Sequence, residues 1–335
     1  MTPFDYARAQ NPADAIARLG DGGRFLAGGT NLLDLMKLGI SRPSQLVDIN
    51  RLPLDRIEET ATGGLRIGAM VRNSDLAADP LIRARYPFVA QALLAGASGQ
   101  LRNMASTGGN LMQRVRCVYF QDLTTPCNKR DPGSGCPARE GFGRYNAIFD
   151  TEGECVAAHP SDLCVPLAAL DAVVVVQGPS GERRIPFGDF HRLAGDTPDR
   201  DTNLAADELI LAVELPALPV AARSRYRKIR ERASYAFALV SVAAALEVQD
   251  GVVQDIRLAL GGVSHRPHRA HRAEAALRGQ PATRESYLAA IEAELAPASV
   301  TDANAFKLPM LRNAVVAVLW DLAGTAREAK HEPTQ

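Results

Sequence analysis

The chain has 335 residues, room for about two domains of roughly 150 residues each, which argues against a single small binding module. Its 38 Lys and Arg residues balance 38 Asp and Glu residues, so no overall basic field is present to hold nucleic acid or a membrane surface. Hydrophobic residues make up 46%, and apolar runs such as 172–176 are far short of a bilayer span, which excludes the disordered and transmembrane classes.

The first 54 residues predict a small β-α-β unit. Asn11 and Pro12 are typical of the start of a helix that Gly20 ends. A short apolar strand then runs into a glycine turn, a periodic helix and a second strand, over residues 24–27, 28–31, 32–39 and 45–49.

Residues 55–158 combine short regular elements with a long irregular stretch. We predict a strand, two helices and a second glycine turn, over residues 64–69, 74–78, 88–96 and 104–111. Residues 113–145 then show almost no periodicity, and regular structure is expected again at 147–149 and 155–158. A loop of this length is uncommon in a compact domain unless something other than a core holds it together.

The rest of the chain predicts a compact α+β domain after a linker. We expect a helix at 163–170, a strand at 172–176, a hairpin turn at 178–181 and a strand at 209–215. Residues 216–219 read as a linker, so we place one domain at 1–218, with parts 1–54 and 55–218, and a second at 219–328. The second domain is predicted to hold strands at 224–228, 246–248 and 253–260 and helices at 233–245, 269–277, 284–295 and 308–325.

Two glycine turns favour a long, phosphate-bearing ligand. Glycine has no Cβ to block the approach of an anion to consecutive backbone N–H groups, so Gly28-Gly29 and Gly108-Gly109 could each cradle a phosphate. The spacing fits neither the Rossmann fingerprint nor the P-loop. Either pair alone is equally typical of a plain tight turn, but two such turns together favour ligand binding.

All five cysteines lie between positions 117 and 164. In a reducing compartment such clustering indicates metal or redox chemistry rather than disulfides. No C-x-x-C pair occurs, and this wide spacing argues against a zinc site. Four thiolates on a glycine-rich loop suit a 4Fe-4S cluster, which is anionic, and residues 113–145 hold six basic against three acidic side chains.

Five segments, in this order, resemble the FAD-binding medium subunit of the molybdenum hydroxylases, the xanthine dehydrogenase and carbon monoxide dehydrogenase group. They are residues 26–33, 106–110, 159–163, 207–210 and 226–230. The resemblance covers nearly the whole chain. It implies an α+β fold, with a two-part FAD-binding domain of the vanillyl-alcohol-oxidase-like type followed by a smaller C-terminal α+β domain.

The resemblance also implies a set of FAD-binding residues. Asp162 would hydrogen-bond the flavin, and Lys228 would lie near the isoalloxazine ring, where positive charge favours reduced flavin. The residues alone leave other roles open, since Asp162 could cap the following helix and Lys228 could be a solvated strand residue. The implied contacts are Leu26, Ala27, Gly28, Gly29, Thr30, Asn31, Leu32, Leu33, Ser106, Thr107, Gly108, Gly109, Asn110, Asp162, Leu209 and Lys228.

Segments 117–120, 126–130 and 133–136 resemble a branch of the family that includes periplasmic-type aldehyde oxidoreductases and carries a 4Fe-4S cluster. The implied metal ligands are Cys117, Cys127, Cys136 and Cys155. Cys164, on an apolar helix, is expected to be a buried packing residue rather than the fourth ligand. His265, His268 and His271 sit among arginines and a proline, and we interpret them as a basic surface segment rather than a metal site.

The function implied by the resemblance is electron transfer in a heterotrimeric aldehyde oxidoreductase. A large subunit with a molybdenum cofactor would oxidise the substrate, so no catalytic residue is assigned to this chain. A small subunit with 2Fe-2S clusters would pass electrons to FAD and then to an external acceptor. Alternatives are a subunit of a xanthine dehydrogenase-type or other aromatic hydroxylase, a stand-alone FAD oxidase, and a zinc-stapled assembly subunit.

The first ten residues hold no basic region that leads into an apolar stretch, so we expect no export signal and a cytoplasmic location. A periplasmic location would need export with a signal-bearing partner subunit.

Overall fold

The N-terminal part of the chain forms a three-stranded parallel sheet in the order β1-β3-β2. The computed structural model describes residues 1–328. The strands are β1 (Asp5–Arg8), β2 (Arg24–Leu26) and β3 (Gln45–Asp48), and the connecting helices are α1 (Pro12–Arg18) and α2 (Leu32–Lys37). As predicted, Asn11 caps α1, and its side chain accepts a hydrogen bond of 2.8 Å from the backbone N–H of Asp14. The predicted β-α-β unit is confirmed.

A five-stranded antiparallel sheet follows, in the order β4-β5-β8-β6-β7. Its strands are β4 (Ile57–Glu59), β5 (Leu65–Gly68), β6 (Val173–Gly178), β7 (Gly181–Pro186) and β8 (Leu209–Leu215). Gly178 pairs with Gly181 across the β6-β7 hairpin, at the predicted turn. The helices between β5 and β6 begin with α3 (Asn73–Ala78), α4 (Pro80–Arg85), α5 (Pro87–Ala95), α6 (Gly99–Met104) and α7 (Thr107–Leu111). The apolar faces of α3, α4, α5 and α7 share one buried core with the sheet, whereas α6 has no buried residue.

The stretch without sequence periodicity is irregular in the structure, as predicted. Between 113 and 145 it holds only α8 (Val118–Gln121) and a single 3-10 turn at Pro137–Arg139. The regular structure expected at 147–149 and 155–158 is wrong, since these residues form no helix or strand and only an isolated bridge joins Asn146 to Ala157. Ile148 and Phe149 are apolar for another reason, because they are inserted into the core of the C-terminal domain. Two short helices complete this domain, α9 (Cys164–Ala169) and α10 (Phe187–Phe190).

The C-terminal domain is a four-stranded antiparallel sheet, in the order β12-β11-β10-β9, with helices against it. Its strands are β9 (Ser224–Ile229), β10 (Val240–Gln249), β11 (Val252–Gly261) and β12 (His268–Arg269). Its helices are α11 (His271–Leu277), α12 (Arg284–Leu295) and α13 (Lys307–Glu328). Even α13 lacks the apolar length needed to cross a membrane, and the same holds for every other helix within residues 1–328.

The helix predicted at 233–245 is wrong, because residues 240–249 form the long strand β10. The run is alanine-rich, which favours a helix by intrinsic propensity. Here β10 lies between β9 and β11 and is buried on both faces, so propensity yields to packing. Val242 and Ala244 point into the C-terminal core, while Ala243 and Ala245 join the core of the preceding domain. The strand therefore packs the two domains together.

Candidate functional site

Two adjoining cavities, of about 770 and about 560 Å³, form a cleft between the glycine turns. Thr30, Asn31, Gly109 and Gln113 line both cavities, so the two are continuous. Cavities of this size are typical of small-molecule and cofactor sites. Most of the residues predicted to contact a cofactor lie in this cleft. The first cavity is lined by Ala27, Gly28, Gly29, Thr30, Asn31, Leu32, Ser106, Gly108, Gly109 and Leu209, and the second adds Asn110, Asp162 and Lys228.

Three of the predicted contacts line neither cavity. Leu26 belongs to β2, and Leu33 lies under Gly29, where a Cβ on the glycine would meet the Leu33 side chain at 2.8 Å. Thr107 is 1% exposed, and its hydroxyl donates to the carbonyl of Val71. These residues shape the turns from behind the cleft wall.

The first glycine turn offers unused backbone donors to the cleft. Asn50 Nδ2 donates to the carbonyls of Leu26 (3.2 Å) and Ala27 (2.9 Å), which fixes the chain as it leaves β2. Gly29 then takes a φ of +73°, a conformation that glycine adopts without strain. Within residues 1–328, the backbone N–H groups of residues 29–32 have no protein acceptor. Consecutive free N–H groups of this kind suit an anion such as a phosphate.

Gly28→Ala is expected to destabilise this turn. A Cβ at position 28 would lie 1.8 Å from the Met104 carbonyl oxygen, so the backbone must shift. We expect a loss of about 1–3 kcal/mol in the free energy of unfolding, together with weaker retention of the cofactor. Urea unfolding and cofactor content measured on the same samples check this.

Gly188→Ala is the matched control for this prediction. Gly188 is exposed, and a Cβ there would meet nothing within 4 Å. Its effect should stay within about 0.5 kcal/mol. Equal effects of the two substitutions would contradict the close-approach argument.

The second glycine turn contributes differently from the first. The N–H groups of Thr107 and Gly108 donate to the carbonyls of Val71 and Ala69 at 2.9 and 2.8 Å. The N–H of Gly109 donates to Ser106 Oγ at 3.3 Å. These donors are already used within the protein, so free backbone N–H groups for a phosphate come from the first turn. The second turn instead lines the cleft with the backbone of Gly108 and Gly109, which have no side chains.

Asp162 and Lys228 form a buried ion pair at the second cavity. Lys228 Nζ donates to Asp162 Oδ2 at 2.7 Å, and the side chains are 3% and 10% exposed. Tyr226 Oη donates to the other carboxylate oxygen at 2.5 Å. Burial raises the pKa of Asp162, and the charge of Lys228 opposes that shift.

This geometry argues against the helix-cap and solvated-strand roles that the residues alone left open. Asp162 does not cap α9, because Ser161 Oγ accepts the hydrogen bond from the Cys164 backbone N–H at 3.2 Å. Lys228 is not a solvated strand residue, because its side chain is almost fully enclosed. Tyr226 was missed from the sequence, since nothing local marks its contact with a carboxylate 64 positions away.

Arg116 and Phe237 also line the second cavity and were missed from the sequence. The Arg116 guanidinium lies over the Phe237 ring, 5.0 Å from its centroid, and donates to Asn31 Oδ1 at 3.1 Å. Burial lowers the pKa of Arg116. This residue ties the first glycine turn to the loop that precedes β10.

Four cysteines converge on one small cavity beside the cleft. Cys117, Cys127, Cys136 and Cys155 all line it, and all are free thiols. Burial raises the pKa of Cys117 and raises that of Cys155 to about 11. Cys117 and Ala157 line the second cavity of the cleft as well, so the cysteine cavity and the cleft are direct neighbours.

Hydrogen bonds from side chains, rather than a core of regularly spaced apolar residues, hold the shape of the cysteine loop, residues 113–155. Arg130 Nη1 donates to the carbonyls of Tyr119, Phe120 and Asp122 at 2.6–2.8 Å. Asn128 donates to Glu154 and accepts from the backbone N–H of Gly135. These contacts fix the loop shape around the four thiols.

Cys164 lies apart from this cavity, in the apolar core of the first domain. Its sulfur and one ring nitrogen each of His159 and His191 lie within 4.8 Å of one another. His159 Nδ1 accepts from the Ser161 N–H, so Nε2 carries the proton, and His191 Nε2 faces the carbonyl of Leu111. Burial lowers the pKa of His159 well below its ordinary value and that of His191 to about 4, so the two rings form a neutral pair packed on the Cys164 thiol.

The three spaced histidines face different partners. His268 stacks on Phe149 and contacts Glu294, while His271 is exposed on α11. His265 is 4% exposed, so the expected surface position is wrong for it. Its Nε2 lies 3.0 Å from Lys129 Nζ, and its Nδ1 faces the Ala157 carbonyl. The contact with the buried Lys129 holds His265 in the interior of the protein.

Two family models match the chain. Residues 2–218 match the FAD binding domain in molybdopterin dehydrogenase, and residues 224–320 match the CO dehydrogenase flavoprotein C-terminal domain. The aldehyde oxidoreductase FAD-binding subunit PaoB of Escherichia coli is 50% identical over 322 residues, covering 95% of this chain and 98% of that protein.

More distant relatives agree with these matches. The carbon monoxide dehydrogenase medium chain of Hydrogenophaga pseudoflava is 27% identical and covers 88% of this chain and 86% of that protein. A solved carbon monoxide dehydrogenase structure from the same organism superposes with a TM-score of 0.73, at 27% identity, over 96% of this chain and 99% of that one. The chain therefore belongs to the family of FAD-binding medium subunits of the molybdenum hydroxylases, as a flavoprotein subunit of the aldehyde oxidoreductase and xanthine dehydrogenase type.

Proposed function

We propose that this chain is the FAD and 4Fe-4S subunit of a heterotrimeric molybdenum-containing aldehyde oxidoreductase. A large subunit with the molybdenum cofactor would oxidise the aldehyde, and a small subunit with 2Fe-2S clusters would pass electrons to this chain. The 50% identity to an aldehyde oxidoreductase subunit supports an aldehyde substrate. The xanthine dehydrogenase alternative has less support, since a putative xanthine dehydrogenase FAD-binding subunit of Escherichia coli is 26% identical.

In this proposal the cleft holds FAD in an extended form. Bound FAD supplies the exchange of one or two electrons with partners and with an external acceptor. The free N–H groups of residues 29–32 would hold the pyrophosphate. The Asp162–Lys228 pair in the second cavity would face the flavin, where the lysine favours added negative charge.

The convergence of Cys117, Cys127, Cys136 and Cys155 on one cavity carries the cluster assignment. These four side chains would be the ligands of a 4Fe-4S cluster, a one-electron carrier that cysteine thiolates hold. A stand-alone FAD oxidase gives no role to four converging thiols. Because Cys117 lines both the cysteine cavity and the cleft, the cluster would lie next to the flavin site.

Cys117→Ser is expected to remove about four iron atoms per complex, since a 4Fe-4S cluster needs its four thiolate corners. The measurement is iron, acid-labile sulfide and FAD content of the complex purified without oxygen. Cys164→Ala is the control, because that thiol is fully buried in the apolar core and does not line the cavity of the four cysteines. It should leave the iron content unchanged.

Two results would overturn the cluster assignment. One is an unchanged iron content in Cys117→Ser, and the other is zinc in place of iron in the wild type, which would favour the zinc-stapled alternative. We further propose that the complex is cytoplasmic unless a partner subunit carries an export signal. Cell fractionation in the presence of the large subunit tests that location.

A further inference from the structure

Lys129 is the most enclosed charged residue beside the cysteine cavity. Its side chain is 0% exposed, and its ammonium has three partners, one for each N–H bond. It contacts Asp201 Oδ1 at 2.5 Å, the Pro198 carbonyl at 2.6 Å and His265 Nε2 at 3.0 Å. Burying an ammonium costs several kcal/mol unless opposite charge compensates it, so this placement needs an explanation.

The single negative charge of Asp201 cannot neutralise Lys129, because Asp201 also forms an ion pair with a second cation, Arg114. Arg114 Nε contacts Asp201 Oδ2 at 2.6 Å, and the Arg114 guanidinium lies over the Phe120 ring that lines the cysteine cavity. Burial raises the pKa of Asp201, but Lys129 and Arg114 outweigh that and lower it, so the carboxylate is ionised. Burial lowers the pKa of His265 to about 4, which keeps this ring neutral. One carboxylate therefore faces two cations.

The surplus positive charge adjoins the four thiols. Lys129 lines the cysteine cavity and lies two positions after Cys127. Its charge acts on Cys155, opposing the burial that raises the pKa of that thiol. Glu154 also lines the cavity, but it is exposed, so water screens its charge. An anionic group held by the four thiols would therefore supply the negative charge that Lys129 lacks.

We propose that Lys129 is the charge-compensating residue of the anionic centre held by the four cysteines, and that the pair Lys129 and Asp201 sets the reduction potential of that centre. This inference rests on the proposed iron-sulfur function. One-electron reduction adds negative charge to the centre, and a fixed positive charge close by in a low-dielectric site favours it. Removing the ammonium must therefore make the centre harder to reduce, and removing the carboxylate must make it easier.

The test is a redox titration of the assembled complex with dithionite, in which electron paramagnetic resonance measures the cluster signals at each potential. Lys129→Met is expected to keep its iron and to shift the 4Fe-4S signal to a more negative potential. Asp201→Asn is expected to shift it to a more positive potential. The 2Fe-2S signals of the small subunit are an internal reference that should not move, and Lys37→Met, at an exposed lysine on α2, is the matched control.

Opposite shifts distinguish an electrostatic role from a structural one, because loosening of the loop would move both variants in the same direction. Unchanged potentials, or shifts of one sign, overturn the inference while leaving the cluster assignment intact. If Lys129→Met fails to assemble, the sign of the shift in Asp201→Asn decides alone. If the wild type holds no iron beyond the 2Fe-2S clusters, the proposed function fails, and this inference fails with it.

Discussion

Asp162→Ala is expected to lower the free energy of unfolding by about 3–5 kcal/mol, the usual loss when one partner of a buried ion pair is removed. The substitution leaves the Lys228 ammonium and the Tyr226 hydroxyl, both almost fully enclosed, without the acceptor that they share. We also expect FAD to be lost at lower urea concentrations. Urea unfolding followed by far-UV circular dichroism and by flavin release measures both effects.

Removing both charges together should cost less than the sum of the single losses. Asp162→Asn keeps an oxygen acceptor for Tyr226, and adding Lys228→Met removes the cation that would otherwise stay unpaired. Contacting residues of this kind show interaction energies of about 0.5–3 kcal/mol in double-mutant cycles. Strict additivity of the two substitutions would contradict the buried pair.

Local chemistry was enough to predict several caps and turns of the first domain. The Asn11 cap, the turn at Gly28-Gly29 and the hairpin at 178–181 depend on backbone rules that act within a few residues. The clustering of cysteines within 48 positions likewise marked a site before any geometry was known. The domain boundary at 218 stays a prediction.

Long-range packing accounts for the elements that the sequence did not predict. β10 looks helical in isolation and becomes a strand because β9 and β11 lie on either side of it. Lys129 was counted only as part of a basic loop, since Asp201, its partner, lies 72 positions later. Tyr226 and Arg116 were missed for the same reason. Buried polar contacts join distant segments, so no local pattern reveals them.

Lys307 is expected to make the stability of the wild type rise between pH 7 and pH 9. Its side chain is 0% exposed and donates to the carbonyls of Asn146 and Gly262, both at 2.7 Å. Burial, with a smaller contribution from Arg144, lowers the pKa of Lys307 from 10.5 to about 7. Above pH 7 the unfolded chain therefore binds a proton that the folded chain has released, so unfolding becomes less favourable as the pH rises. The gain over this window is about 2 kcal/mol.

Comparison with Lys307→Met isolates this contribution. The free energy of unfolding of the wild type relative to the variant should increase by about 2 kcal/mol from pH 7 to pH 9, measured by urea unfolding at each pH. The window ends at pH 9 because burial raises the pKa of Cys164 to about 12, and this thiol acts in the opposite direction above pH 9. The exposed Lys37→Met variant should follow the wild type. The prediction is contradicted if the free energies of unfolding of Lys307→Met and the wild type change equally between pH 7 and pH 9. Lys307 would then be charged in the folded protein throughout this range, and it would join α13 to Asn146 as an ammonium.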